Sequence, residues 1–285
     1  MDDFQPPCGA TACGVGGLRV KRGVKSALRD LVHRGARPAL DLPTGSAKAV
    51  HRARRSLKRT RALLRLGESI GGTDTRVVRQ RLARHARQLS AARDAAVIGK
   101  LAAQLREKGH GAETRAVLTK MIRTSGGEAP PLPRTEWQAR LRATLAELES
   151  TEWRSLRRQR LRRALRRELR RAQKRYGEIG DGDDATRIHA WRKAVVRLRD
   201  QIEMVCAWLT RRERKVVRRL AGIARRLGVA MDCTVFLGAL RRTRGVPAAA
   251  RRRLVHLVEK RRKKALRNAV NRWPRVRREA KKRLR

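Results

Sequence analysis

The sequence predicts an all-α protein built as a tandem duplication, and three observations carry that prediction. Aromatic residues make up only 3% of the chain, and the apolar set is mostly Ala, Leu and Val, which suits close-packed helices better than sheets. Polar and Gly/Pro-rich breakers separate long stretches in which apolar residues recur with the helical period. The pattern then repeats at an offset of 138 residues. His51 pairs with His189 and Asp94 with Asp232, and Leu57 with Val195, Leu64 with Ile202, Leu82 with Leu220 and Leu89 with Leu227 keep the same register. With 285 residues and 40% hydrophobic content, the chain can bury one large core or two of ordinary size.

In order along the chain, residues 1–16 read as a flexible Gly/Pro-rich leader. The first repeat spans about 17–126. Within it DLPTGSA at 41–47 interrupts the helical pattern, with Ser46 placed to cap the helix that holds His51. GESIGGTD at 67–74 ends that helix, Asp74 opens the next, and SGGEAPPLP at 125–133 closes the repeat. The second repeat spans about 134–274. Thr135, Asp184 and Thr210 stand as N-cap candidates, and GEIGDGDDAT at 177–186 and RGVP at 244–247 act as breakers. Pro274, which lacks an N–H and clashes with the preceding turn, is expected to stop the last long helix and leave a basic tail from Arg275 to Arg285. Eight or nine helices follow from these divisions.

Charge dominates the rest of the reading. Lys and Arg number 75 against 25 Asp and Glu, a formal net charge of +50, and 60 of the cations are Arg. The apolar content is too high for a disordered polycation, so the excess points to a folded protein with a polyanionic partner. No stretch is apolar enough to cross a membrane, and the leader lacks the basic and apolar regions of a signal peptide, which predicts a cytoplasmic protein. The four cysteines do not form a disulfide framework. Cys8 and Cys13 lie in the leader without a second Cys/His pair to complete a metal site, and Cys206 and Cys233 fall among apolar residues of expected helices.

Two helices concentrate the positive charge. On the first, one side collects His51, Arg54, Arg55, Lys58, Arg59 and Arg61, opposite Val50, Leu57 and Leu64. On the second, His189, Arg192, Lys193, Arg197 and Arg199 share a side, opposite Ile188, Trp191, Val195, Leu198 and Ile202. Val196 replaces the counterpart of Lys58, and Asp200 and Glu203 enter near the basic side. Like charges three and four residues apart destabilise a helix by a few tenths of a kcal/mol per pair, and solubility alone does not require that cost. Guanidinium groups grip phosphate oxygens through two parallel hydrogen bonds, which suits a phosphate-rich ligand.

The basic surroundings should hold His51 and His189 neutral, able to donate one hydrogen bond. Neither has a further His or carboxylate at i+3 or i+4, so neither reads as a metal ligand. His33, His85, His110 and His256 lack counterparts at the repeat offset and read as ordinary surface or core residues. Asp94 and Asp232 read as structural acids orienting an Arg of the basic helix. The tryptophans Trp137, Trp153, Trp191, Trp208 and Trp273 sit at helical spacing with Leu and read as core.

The motif [VI]-H-x-x-R-[RK], duplicated and followed each time by L-x-x-x-[RM]-D-x-x-V, closely resembles the CHAD family, the conserved histidine α-helical domain, over about 18–273. The resemblance implies two four-helix-bundle-like repeats related by pseudo-twofold symmetry, with basic faces meeting at a central cleft. It implies non-catalytic binding of inorganic polyphosphate, with targeting to polyphosphate granules, by a stand-alone module without a fused phosphohydrolase. Carried over by position, it assigns binding to the eleven His, Arg and Lys residues of the two basic faces. Matched cations on the preceding helices, Arg19 with Arg157, Arg22 with Arg160, Lys25 with Arg163 and Arg29 with Arg167, would widen the groove. The alternative is a nucleic-acid binder using the same surface non-specifically, although no helix-turn-helix, zinc-finger or aromatic RNA-binding signature accompanies the charge. An enzyme acting on phosphate compounds is the third reading. The sequence offers it no P-loop, no clustered carboxylates for Mg²⁺ and no nucleophile beside a base. No cofactor is implied.

Overall fold

A computed structural model describes residues 32, 36–37, 39–40, 47–71, 74–108, 111–125, 134–148, 158–180, 184–205 and 209–284. No strand occurs among the described residues, in which 32, 36–37 and 39–40 are helical and nine helices have defined bounds: α1 (Ala47–Ser69), α2 (Arg76–Gln88), α3 (Ser90–Arg106), α4 (Ala112–Ser125), α5 (Arg134–Ala146), α6 (Arg158–Gly177), α7 (Ala185–Met204), α8 (Arg211–Arg242) and α9 (Ala248–Arg283). None of them is long and apolar enough to cross a membrane. The leader, Ser46, Cys206, His33, His110, Trp153 and Trp208 lie outside the described residues.

The helix starts follow local side-chain chemistry. Asp184 accepts the Thr186 backbone N–H at 2.7 Å and caps α7. Thr210 and Glu213 form a reciprocal capping box at the start of α8, with the Thr210 N–H donating to Glu213 at 2.6 Å and the Glu213 N–H to Thr210 at 3.2 Å. Asp74 accepts from the Arg76 N–H at 2.8 Å, but the capping position of α2 is Thr75, one residue later. Thr75 is drawn there by Glu68, which accepts from its N–H at 2.9 Å and its hydroxyl at 2.8 Å. Thr135 is not a cap: α5 already begins at Arg134.

Pro274 does not stop the last helix, contrary to the sequence expectation. It lies inside α9, which continues to Arg283. One missing backbone hydrogen bond is outweighed because Trp273, Val276, Ala280 and Leu284 all enter the core on either side of the proline. The segment from Arg275 onward is therefore a packed helical end rather than a separate tail up to Leu284.

Two apolar clusters form, and each draws on both halves of the chain. The larger joins α1, α2, α5, α6 and α7 to the first half of α8 and the last part of α9. The smaller joins α3 and α4 to the second half of α8 and the first part of α9. Trp191 and Trp273, both fully buried, meet edge to face at 5.7 Å between ring centroids, with Tyr176 packed against both. Trp137 is also core, against His85. His85 is a buried residue whose Nε2 lies 3.3 Å from the Thr144 hydroxyl, and His256 is on the surface, as ordinary histidines of their class would be.

Helices α1 and α7 begin 138 residues apart, at Ala47 and Ala185, and pack on each other. At the same offset, α2 and α3, which abut at Leu89, correspond to the single helix α8. Likewise α4 and α5 correspond to the single helix α9. The GGEAPPLP segment at 126–133 separates the first pair, whereas KALRNAVN at 264–271 continues the helix. The long helices α8 and α9 thus span both clusters, and the packing of α1, α3, α7 and α8 leaves a cavity at their junction.

Candidate functional site

The cavity measures about 510 Å³. Helix α1 contributes His51, Arg54, Arg55 and Lys58, α3 contributes Arg93, and α7 contributes Arg192, Val196, Arg199 and Asp200. Helix α8 closes it with Ala221, Ala224, Arg225, Gly228, Val229 and Asp232. The small residues Ala221, Ala224 and Gly228 let the α8 backbone approach, so that the cations of the other helices face open space. Two carboxylates stand against one histidine, one lysine and six arginines.

Each of these cations is positioned differently. Arg54 is fixed: its Nη1 donates to the Ala86 carbonyl at 2.7 Å and to the Ser90 hydroxyl at 2.8 Å. Its counterpart Arg192 meets Gly228 where Arg54 meets Ser90, and a Cβ at Gly228 would lie 3.8 Å from Arg192 Nη2. The hydroxyl anchor is therefore absent on that side, and Arg192 Nε is buried with no hydrogen-bond partner. Arg199 is held by Asp200, with Nε to Oδ1 at 3.0 Å and Nη2 to Oδ1 at 2.5 Å. Arg93 spans two acids, donating to Asp94 and to Asp232 at 2.7 Å each. The hydrogen bonds of Asp94 and Asp232 are thus directed at Arg93 of α3 rather than at an Arg of the basic helices α1 and α7, although Asp232 also attracts Arg192 of α7.

The electrostatics reflect crowding of like charges. Burial and the neighbouring Arg54, Arg192 and Arg93 push the Lys58 ammonium down to about 8. Burial, with Lys193, Arg192, Lys58 and Arg93 adding repulsion, pushes His189 down to about 4. His51 is lowered by burial and by Arg55, Lys58, Arg93 and Arg54. Burial and the surrounding cations thus disfavour protonation of both imidazoles. Burial holds the carboxyl of Asp200 above its ordinary range despite Arg199, and that of Asp232 above its range despite Arg93 and Arg192.

Of the eleven cations and histidines expected to bind, His51, Arg54, Arg55, Lys58, Arg192 and Arg199 line this cavity. His189 and Lys193 flank it: His189 is half-buried with Nδ1 unpartnered, and Lys193 is exposed. Three others are committed elsewhere or lie away from the walls. Arg59 is bonded to Glu203. Arg197 approaches Glu168 at 3.4 Å, and this fully buried carboxylate also faces Arg65 at 3.5 Å and pairs with Arg171. Arg61 lies beside Arg197, Arg79 and Arg87, its Nε buried without a partner. On α6, Arg160 and Arg163 are exposed and Arg167 donates to the Ser69 carbonyl, so none of the three reaches the cavity. Arg19, Arg22, Lys25, Arg29 and Arg157 lie outside the described residues.

Arg93 and Arg225 are the cations that helix-face reasoning left out. Arg93 was within reach of it, since it sits beside the repeated Asp94. The cavity as a whole offers many N–H donors and few acceptors, a chemistry complementary to anionic oxygens.

Comparison with known proteins agrees with this architecture. The CHAD domain of the plant Ricinus communis superimposes with a TM-score of 0.62 at 18% identity, covering 87% of this chain and 92% of that one. PptA from Streptomyces chartreusis superimposes with a TM-score of 0.63 at 18% identity, covering 89% of this chain and all of that one. No curated protein matches the sequence. The sequence pattern of the CHAD domain matches residues 24–241, which include every residue of the cavity wall, and the chain belongs to the CHAD domain family.

Proposed function

We propose that the protein binds inorganic polyphosphate without catalysing a reaction on it. The observation that carries this reading is the convergence of the α1 and α7 basic sides, with Arg93 and Arg225, on one cavity. A phosphate polymer has no bases to stack or read, so donors and positive charge suffice to hold it. Association with polyphosphate granules in the cytoplasm follows from such binding and is part of the same proposal.

Calorimetric titration with long-chain polyphosphate at moderate salt tests the reading. Binding is expected for the parent, with affinity falling steeply as salt rises. Joint replacement of Arg54, Arg55, Lys58 and Arg192 by Gln should remove most of it while the helical content is kept. Equal binding by that quadruple variant would show that the cavity is not the site. Release of orthophosphate by the parent would show that the protein is an enzyme, and failure of excess polyphosphate to displace RNA or duplex DNA would favour a nucleic-acid ligand.

A further inference from the structure

Helices α8 and α9 enclose a second opening of about 530 Å³, lined by Arg225, Arg226, Val229, Arg261, Lys264 and Asn268 along with Ala265. None of these lining residues is acidic, in contrast to the central cavity with Asp200 and Asp232. Arg225 and Val229 belong to the walls of both openings, so the two meet along one edge of α8. From that edge, Arg261, Lys264 and Asn268 continue as a stripe along α9, at positions one turn apart.

The packing of the fold leaves polar capacity unused at Arg226, Arg261, Lys264 and Asn268. Lys264 and Asn268 are exposed. Arg226 gives one N–H to the Gly222 carbonyl at 2.9 Å, and Arg261 gives one to Gln104 at 3.0 Å. A guanidinium has five N–H donors, so each retains others for a ligand. Burial, with repulsion from Arg272 and Arg225, lowers the pKa of Arg226. The α9 residues of the stripe lie beyond the family match, which ends at 241.

We propose that this groove is a second phosphate subsite, into which a chain of phosphates seated in the central cavity continues over Arg225 and Val229. The proposal rests on the polyphosphate reading of the central cavity and deepens it. A chain short enough to fit the first opening does not reach Arg261 and Lys264, whereas a long chain contacts both. The groove therefore gives the protein a preference for long chains.

The test compares tripolyphosphate with long-chain polyphosphate on the full-length protein and on two variants, Arg261→Ala/Lys264→Ala and the exposed single change Lys264→Glu. Thermal melts confirm that each variant folds, and Lys264→Glu decides the matter should loss of the Arg261–Gln104 contact disturb α9. The expected result is a loss of about tenfold in long-chain affinity for the double variant. Its log affinity against log salt should flatten by about 1.4, from two fewer phosphate contacts on a single strand. Tripolyphosphate affinity should stay unchanged. Unchanged long-chain affinity, or an equal loss for both ligands, would overturn the groove assignment while leaving the central cavity intact. Weaker binding of single-stranded RNA with polyphosphate binding unaltered would make the groove a nucleic-acid surface and would also overturn it. If the parent binds no polyphosphate of either length, the reading of the central cavity fails first and the subsite with it.

Discussion

Lys58→Met offers a sharp test because the free cavity holds Lys58 near pH 8, against an ordinary value of 10.5. The causes are burial and the unscreened guanidinium groups of Arg54, Arg192 and Arg93. A bound polyanion offsets those charges and returns the ammonium toward its ordinary pKa, so binding must be accompanied by proton uptake wherever the free lysine is partly neutral. At pH 8 about half of the free protein carries neutral Lys58, and binding should take up about half a proton. If the bound pKa returns fully to 10.5, linkage gives an affinity that falls by about tenfold between pH 7 and pH 9. Partial return gives a smaller fall of the same sign. Among the shifted groups of the described residues Lys58 is the one that titrates in this window, since His51 and His189 are lowered from 6.5 and the Cys233 thiol is pushed up to about 11 by burial. Calorimetric titration of long-chain polyphosphate, whose internal phosphates stay fully ionised across this range and whose titratable ends are few, in two buffers of different ionisation enthalpy measures the uptake directly. In Lys58→Met both the uptake at pH 8 and the fall in affinity should vanish. A parent affinity that is flat from pH 7 to 9, or a variant that keeps the full pH dependence, would show that Lys58 is not the group coupled to binding.

Three further outcomes follow. His189 has a folded pKa of about 4, below its ordinary 6.5, so the unfolded chain takes up the proton first and stability is lost as the pH falls from about 6.5 toward 4. The full shift corresponds to about 3 kcal/mol, which solvent contact at this half-buried site reduces to about 1–2 kcal/mol, and His189→Gln should flatten denaturant stability measured across that range. Trp191→Ala empties a fully buried site against Trp273 and Tyr176 and should lower stability by about 3–5 kcal/mol in urea titrations, with near-parent helicity at low temperature. Polyphosphate that binds only the folded state should raise the melting temperature at low salt and lose this effect at high salt, and calorimetric scans at two ionic strengths check both.

The all-helical fold and its divisions were readable because breakers and apolar periodicity are local signals. The caps at Asp184 and Thr210 and the core positions of Trp137, Trp191 and Trp273 rest on the same short-range information. Pro274 misled for the complementary reason: its local preference is to end a helix, and the burial of Val276, Ala280 and Leu284 that overrides it comes from distant elements. The binding face shows the same division. A helical wheel places Arg54, Arg59 and Arg61 on one side of α1, but only the fold shows Glu203 engaging Arg59 and Ala86 and Ser90 fixing Arg54 toward the cavity. On α7, the wheel likewise places Arg197 with the binding cations, whereas buried Glu168 of α6 takes it up. Arg93 and Arg225 come from α3 and α8 and join the site only once those helices pack across α1 and α7.

A crystal structure of the protein soaked with tripolyphosphate at moderate salt would show whether the cavity is where phosphate binds. Phosphate density is expected within hydrogen-bonding distance of Arg54, Arg55, Lys58 and Arg192, in the cavity between α1, α3, α7 and α8. An empty cavity, with phosphate only on outlying cations such as Arg160 and Arg163 of α6, would contradict it.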